Sequence, residues 1–138
     1  MDMEEKPMSY ITKDEQLLIK IEKYIRRLDQ LLKVIAPLTD DAIDDTIEAM
    51  ALTQCVTNLF ELTSRIEDDD IIDQISILRS AKVGRLKNIA SHDYDAVNWS
   101  IVKTTCRKIL DTVTPALIHE ILEDIATAKA ETKCYRKD

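Results

Sequence analysis

Apolar side chains recur every three or four residues through most of this chain, and this spacing constrains the fold more than any other feature. The clearest stretch contains Leu17, Leu18, Ile21, Tyr24, Ile25, Leu28, Leu31, Leu32 and Ile35. Residues at these separations share one side of an α-helix, so the stretch predicts a long helix with one buried stripe. With one glycine and three prolines, the chain has few turn residues to connect short strands. The sequence therefore predicts an all-α fold.

Local start and stop signals divide this pattern into about five helices. Thr12 and Glu15 have the spacing of a capping box, and Pro37 ends the first helix. The later helices are expected from Asp40 or Asp41 to Ile66, from about Asp70 to Ala90 or Ser91, from Asn98, and from Thr114-Pro115. Helices joined by short turns run in opposite directions. We therefore expect an antiparallel bundle of about five helices.

The length of the chain fits a single domain, because 138 residues is close to the commonest domain size. We expect the helical domain over residues 12–128, a flexible tail at 1–11 and a polar tail at 129–138. Residues 1–11 hold no basic-then-apolar pattern of a signal segment, and no apolar run approaches the ~18–20 residues of a membrane span. We therefore expect a cytoplasmic protein that makes no contact with a membrane.

The cysteines and amides suggest core positions rather than a metal site. Cys55, Cys106 and Cys134 are far apart and form no CxxC pair, which is typical of a reducing compartment. Cys55 and Cys106 fall on apolar helix faces, so we expect them in the core. Gln54 and Asn58 are polar residues on the expected inner face of the second helix, which consists of Ile43, Ile47, Met50, Ala51, Gln54, Cys55, Asn58, Leu59, Leu62 and Ile66. They are either satisfied buried amides or residues that line a site.

The net charge of −7 excludes a protein that coats nucleic acid non-specifically, since such binding depends on clustered lysine and arginine. It leaves room for a local basic site, because cations gather at Arg79, Lys82, Arg85 and Lys87. The acidic run at residues 67–70 is expected to be a solvated turn and helix cap. Adjacent carboxylates on so short a stretch cannot converge on a metal ion.

One segment combines residues that could act on a phosphodiester. On a continuous helix Arg85, Asn88 and His92 share one face, because separations of seven and four are close to whole turns. A guanidinium, an amide and an imidazole could together hold a phosphate and move a proton. The alternative is a helix-end histidine with ordinary neighbours. His119 lies beside Glu120 and is expected to be a surface residue.

The same segment resembles a known signature. Residues 88–94, Asn-Ile-Ala-Ser-His-Asp-Tyr, and the helix that opens at Asn98 are similar to the motif of the HEPN superfamily, specifically HepT-like toxins. That motif is an arginine, four residues, a histidine, one residue and a tyrosine. Residues 58–62 resemble the acidic helix of the family, and Glu61 matches its glutamate. The motif arginine is Lys87 here, whereas Arg85 fits the wider HEPN spacing.

The resemblance covers most of residues 12–126 and implies a metal-independent endoribonuclease without a cofactor. His92 would be the general acid or base, Arg85 or Lys87 the phosphate clamp, and Asn88 an assisting group. Glu61 and Asp93 would support the site.

The resemblance also implies partners. The protein would form a homodimer with residues 82–98 near the interface, where the lone Gly84 would allow close approach. A nucleotidyltransferase antitoxin would modify Tyr94 with AMP, and this adduct would keep the RNA substrate away from His92.

Two other interpretations remain open. The chain could be a non-catalytic HEPN module that binds a nucleotide or a partner and has lost cleavage with the change to Lys87. It could also be a plain helical dimer or scaffold in which His92 only caps a helix.

Overall fold

The computed structural model describes residues 12–44, 46–92 and 97–137, without the side chains of residues 89–92 and 132–137. It contains helices α1 Lys13–Ile35, α2 Asp40–Asp44, α3 Ile47–Ser64, α4 Asp69–Gln74, a 3-10 helix Ser76–Arg79, α5 Ala81–His92, α6 Trp99–Thr112 and α7 Pro115–Lys137. The described residues form no strand, so the predicted all-α helical bundle is confirmed. The expected tail at 1–11 lies outside the described residues. None of the described helices is long and apolar enough to cross a membrane.

Helix α1 forms as its sequence predicts. The Thr12 hydroxyl accepts the Glu15 N–H at 3.2 Å, and the Glu15 carboxylate accepts the Thr12 N–H at 2.9 Å, which completes the capping box. The predicted stripe is buried, with Leu18, Ile21 and Leu28 fully inaccessible to solvent. This stripe packs mainly against α3, with further contacts to α6 and α7.

The expected second helix is two helices, and this corrects part of its predicted inner face. Thr46 is an N-cap whose hydroxyl accepts the Ala49 N–H at 3.1 Å, so α3 begins afresh after α2. Because of this new start, α3 turns different residues toward the core than the single continuous helix expected from the sequence would. Ile47 and Met50 are consequently 81% and 62% exposed, whereas the core takes the unpredicted Leu52 and Val56.

The two amides of α3 are not a buried pair. Gln54 is exposed and Asn58 is half-buried, and the Gln54 side chain donates to the Asn58 oxygen at 3.1 Å. The prediction of satisfied buried amides was wrong for Gln54, because the rotation of α3 turns this residue outward.

The expected third helix is also interrupted, between Gln74 and Ala81. The reason lies in the core: Ile75, Leu78 and Val83 are all fully buried. Leu78 and Val83 are five residues apart, a separation that one α-helix would place on different sides. A 3-10 turn and the extended backbone of Ser80 bring both side chains inward.

The remaining helix starts agree with the sequence. Asn98 accepts the Ile101 N–H at 3.2 Å and Thr114 accepts the Leu117 N–H at 3.1 Å. Helix α7 continues past residue 128, where a polar tail was expected, to Lys137. The run at 67–70 is a turn and cap as predicted: the Asp14 carboxylate accepts the Glu67 and Asp68 N–H groups, and Asp68 caps α4.

Both described cysteine side chains are in the core, as predicted. Cys55 and Cys106 are buried free thiols on α3 and α6. Burial raises the pKa of each thiol to about 12. The side chain of Cys134 lies outside the described residues.

A lysine closes the C-terminal end of α1. The Lys103 ammonium, on α6, donates to the carbonyl oxygens of Ala36 at 3.1 Å and Leu38 at 3.0 Å. These oxygens belong to the turn at Pro37, where the helix leaves carbonyl groups without partners. Lys103 therefore fastens the end of α1 to α6.

We expect Lys103→Met to lower the free energy of unfolding by about 1–3 kcal/mol, because two carbonyl oxygens lose a charged donor. Lys108 is exposed on the same helix, so Lys108→Met is the matched control and should stay within about 0.5 kcal/mol of the native protein. Urea unfolding followed by circular dichroism measures both. Equal losses in the two variants would contradict the role of Lys103.

Candidate functional site

Helix α5 carries the predicted site and presents three different sides to its surroundings. Val83 and Leu86 are buried in the core, and α5 packs mainly against α3. Gly84 and Lys87 are half-buried, whereas Lys82, Arg85 and Asn88 are exposed. The helix is unbroken from Ala81 to His92. The core contacts of Val83 and Leu86 thus fix which residues α5 turns toward solvent.

The structure covers part of the predicted constellation. Arg85 and Asn88 are both exposed and lie three residues apart on one helix. The backbone of His92 lies within α5, and its side chain lies outside the described residues, as do Asp93 and Tyr94. The sharing of one face by Arg85, Asn88 and His92 therefore stays a prediction, and the continuous helix meets its backbone requirement.

Lys87 and Glu61, two predicted site residues, contact each other. The Lys87 Nζ lies 2.9 Å from a carboxylate oxygen of Glu61 and 4.9 Å from the centre of the Phe60 ring. The hydrogen bond from Lys87 and its positive charge lower the pKa of Glu61, so this carboxylate is ionised at neutral pH. The Lys87 ammonium thus has both a counter-ion and an aromatic face on α3.

Arg85 has a different environment. Among the residues that the structure describes, no carboxylate forms an ion pair with its guanidinium. The two candidate clamps are therefore distinguished by geometry: Lys87 is held by α3, whereas Arg85 faces solvent with its donors available to a phosphate.

Gly84 lies where α5 approaches α3. A methyl group added there would be 3.5 Å from the nearest ring atom of Phe60, which is an ordinary van der Waals contact. The packing of these two helices would therefore accept alanine. The expectation that Gly84 allows close approach of a second subunit stays a prediction.

Phe60 and Glu22 were not recognised as relevant from the sequence. Phe60 precedes Glu61 and could have been found from the resemblance, but its contact with Lys87 depends on how α3 and α5 align. Glu22 accepts from Arg26, and its Oε1 lies 3.0 Å from His119 Nε2. His119 is a surface residue as predicted, and nothing local in the sequence indicates its partner on α1.

The described residues contain no group of three histidine, cysteine or acidic side chains that could hold a metal ion.

Comparison with known proteins gives one match. The model of the HepT-like family, described as Ribonuclease HepT-like, matches residues 21–123. This range includes α2 to α6 entirely and most of α1, and it contains every predicted site residue. No curated protein and no solved structure matches the chain.

Proposed function

Because the chain belongs to the HepT-like family of the HEPN superfamily, a ribonuclease-type module, we propose that it is a metal-independent endoribonuclease toxin. The observation that carries this proposal is the position of Arg85. Its side chain is exposed on α5 and forms no ion pair with any residue that the structure describes. It lies seven residues before His92 on an unbroken helix. A phosphate-binding group and a titratable imidazole at this separation suit phosphodiester chemistry.

In the proposed reaction the ribose 2′-oxygen attacks phosphorus and the bond to the 5′-oxygen breaks. The 2′-hydroxyl proton passes to an imidazole acting as base, and the imidazolium so formed gives a proton, directly or through water, to the 5′-oxygen as it leaves. His92 serves in this proton transfer. Arg85 binds two oxygens of the phosphate and stabilises the negative charge that builds on them, and Asn88 donates a further hydrogen bond.

Lys87 has a supporting role in this proposal. Its ion pair with Glu61 and its contact with Phe60 join α5 to α3, which holds the exposed side of α5 in a fixed orientation. The same contacts favour the second candidate, a non-catalytic HEPN module. In that case the cation at the motif position serves only structure, and the chain binds a nucleotide or a partner without cleaving RNA.

The proposal includes control by a partner. A nucleotidyltransferase antitoxin would attach AMP to Tyr94, and the added charge and bulk two residues from His92 would keep RNA phosphates away. The active form would be a cytoplasmic homodimer, a prediction that the sedimentation coefficient at micromolar concentration would test.

We expect His92→Ala to abolish RNA cleavage, because the reaction loses its proton-transfer group. His119→Ala removes the other histidine and should leave cleavage unchanged. Both variants and the native protein are compared on a labelled single-stranded RNA, with and without chelator. Cleavage that needs added metal, or that persists in His92→Ala after contaminating nuclease is excluded, would contradict the proposal.

A second prediction separates the two cations. Arg85→Gln should lower kcat by roughly 100-fold or more, the usual effect of losing a donor to transition-state charge. Lys87→Gln should change kcat far less and act mainly on stability, because its ammonium is held by Glu61. Single-turnover cleavage and thermal unfolding of each variant give the two quantities. If Lys87→Gln lowers kcat more than Arg85→Gln does, Lys87 and not Arg85 is the phosphate-binding group.

Tyr94→Phe tests whether a nucleotidyltransferase controls the protein by attaching AMP to Tyr94. This variant keeps the ring but lacks the hydroxyl that would accept AMP, so cleavage should persist when the nucleotidyltransferase and ATP are added. The native protein should lose activity and gain the mass of one AMP in intact mass spectrometry. Modification of Tyr94→Phe to the same extent would show that the acceptor is elsewhere.

A further inference from the structure

Resting on the proposed function, we propose that Arg79 and Lys82 extend the site into a binding row for the phosphates of single-stranded RNA. We call Arg79, Lys82 and Arg85 the cation row. Arg79 ends the 3-10 helix, and the other two lie on the first turns of α5. The row would bind the strand on one side of the bond that is cleaved.

The charge distribution is the first observation. The chain has 26 acidic residues among 138, yet none occurs between Asp73 and Asp93. This stretch holds four cations in a protein of net charge −7. Every formally charged residue of the 3-10 helix and α5 is therefore a cation, as expected of a surface that attracts an anionic ligand.

The second observation is that no carboxylate of the described residues pairs with the cations of the row. Arg79, Lys82 and Arg85 are all exposed, and none forms an ion pair with another described residue. Lys13, Arg26, Lys33, Lys87 and Lys129 each pair with a carboxylate, whereas Lys20 and Lys108 are exposed and form no ion pair with a described residue. The row is therefore distinguished by the grouping of its unpaired cations on one short stretch of the chain. Lys82 and Arg85 are three residues apart on α5, where like charges repel. An external anion along the row would remove this repulsion.

The geometry of the row favours a single strand. Lys82 and His92 are about 15 Å apart along α5 at 1.5 Å per residue, which matches roughly four stacked nucleotides at 3.4 Å each. Recognition of double-stranded RNA requires contacts across two minor grooves, spanning roughly 16 base pairs. One helix of this length follows one backbone and does not reach that far.

The contacts would be to phosphates rather than to bases. The row consists of long cationic side chains, and Phe60, an aromatic ring in contact with α5, is half-buried beneath Lys87. Stacking of bases needs an accessible aromatic face. The row should therefore bind RNA with little sequence preference and strong dependence on salt.

The test compares two double variants that remove the same charge. Arg79→Gln with Lys82→Gln changes the row, and Lys20→Gln with Lys108→Gln changes exposed cations on α1 and α6. The probe is a fully 2′-O-methylated RNA 12-mer, which lacks the attacking hydroxyl, so fluorescence anisotropy measures binding without cleavage. Affinity is measured between about 50 and 200 mM salt, where phosphate contacts dominate.

The row variant should bind on the order of tenfold more weakly at the low salt. Its slope of log affinity against log salt should be smaller by about 1.4, which is two contacts at about 0.7 each for a single strand. The control variant should keep the native slope. On cleavable RNA the row variant should have a raised KM and an unchanged kcat, unlike Arg85→Gln.

The outcomes separate this inference from the proposed function. If the native protein cleaves RNA but the row variant keeps the native slope of log affinity against log salt, the proposed row is wrong and the ribonuclease proposal is unaffected. A reduced slope in a protein that never cleaves RNA would support the row and overturn the ribonuclease. Duplex RNA that binds more tightly than the single strand, with the same loss in the row variant, would overturn the single-stranded assignment. Absence of salt-dependent RNA binding would overturn the row.

Discussion

Helix α1 packs its buried stripe against α3, α6 and α7, and the positions of these helices depend on that contact. Each fully buried leucine or isoleucine of the stripe contributes about 1.5–3 kcal/mol relative to an exposed one. Polar contacts then fix both ends of α1. Glu15 pairs with Lys129 of α7 near the start, and Lys103 of α6 binds the carbonyl groups at the end. Asp14 holds the turn before α4 through two backbone N–H groups. Burial of the apolar stripe stabilises the packing of the helices, and the polar contacts at the two ends of α1 fix how the other helices align with it.

The orientation of α5 follows from this alignment in two steps. Helix α3 packs on α1, and α5 packs on α3. Val83 and Leu86 turn one side of α5 into the core, and the ion pair between Lys87 and Glu61 fixes a second side against α3. Within the described side chains of α5, the remaining side, with Lys82, Arg85 and Asn88, faces solvent. The side of α5 that carries the proposed site is thus determined by packing elsewhere in the bundle, which explains how a short helix can present a defined set of donors.

The sequence predicts those parts of the fold that depend on neighbouring residues. The starts at Thr12, Asn98 and Thr114 are correct because each cap is a contact over three residues. The starts of α3 and α5 were missed because the apolar residues on either side of Thr46 and Ser80 were assigned to one continuous helical pattern. In the site, the exposure of Arg85 and Asn88 was predictable from the helix period, and the likeness to the family came from the histidine motif. The pairing of Lys87 with Glu61 was not predictable, since the two residues are 26 positions apart in sequence and meet only through the alignment of α3 and α5.

The buried thiols of Cys55 and Cys106 have a chemical consequence. Only a thiolate reacts readily with oxidants and alkylating agents, and a pKa of about 12 leaves roughly one thiol in 10⁵ ionised at neutral pH. In an unfolded chain the same thiols regain an ordinary pKa and contact with solvent. Their chemical reactivity is therefore coupled to the integrity of the bundle, so that oxidative damage at these two positions selects molecules that have already opened.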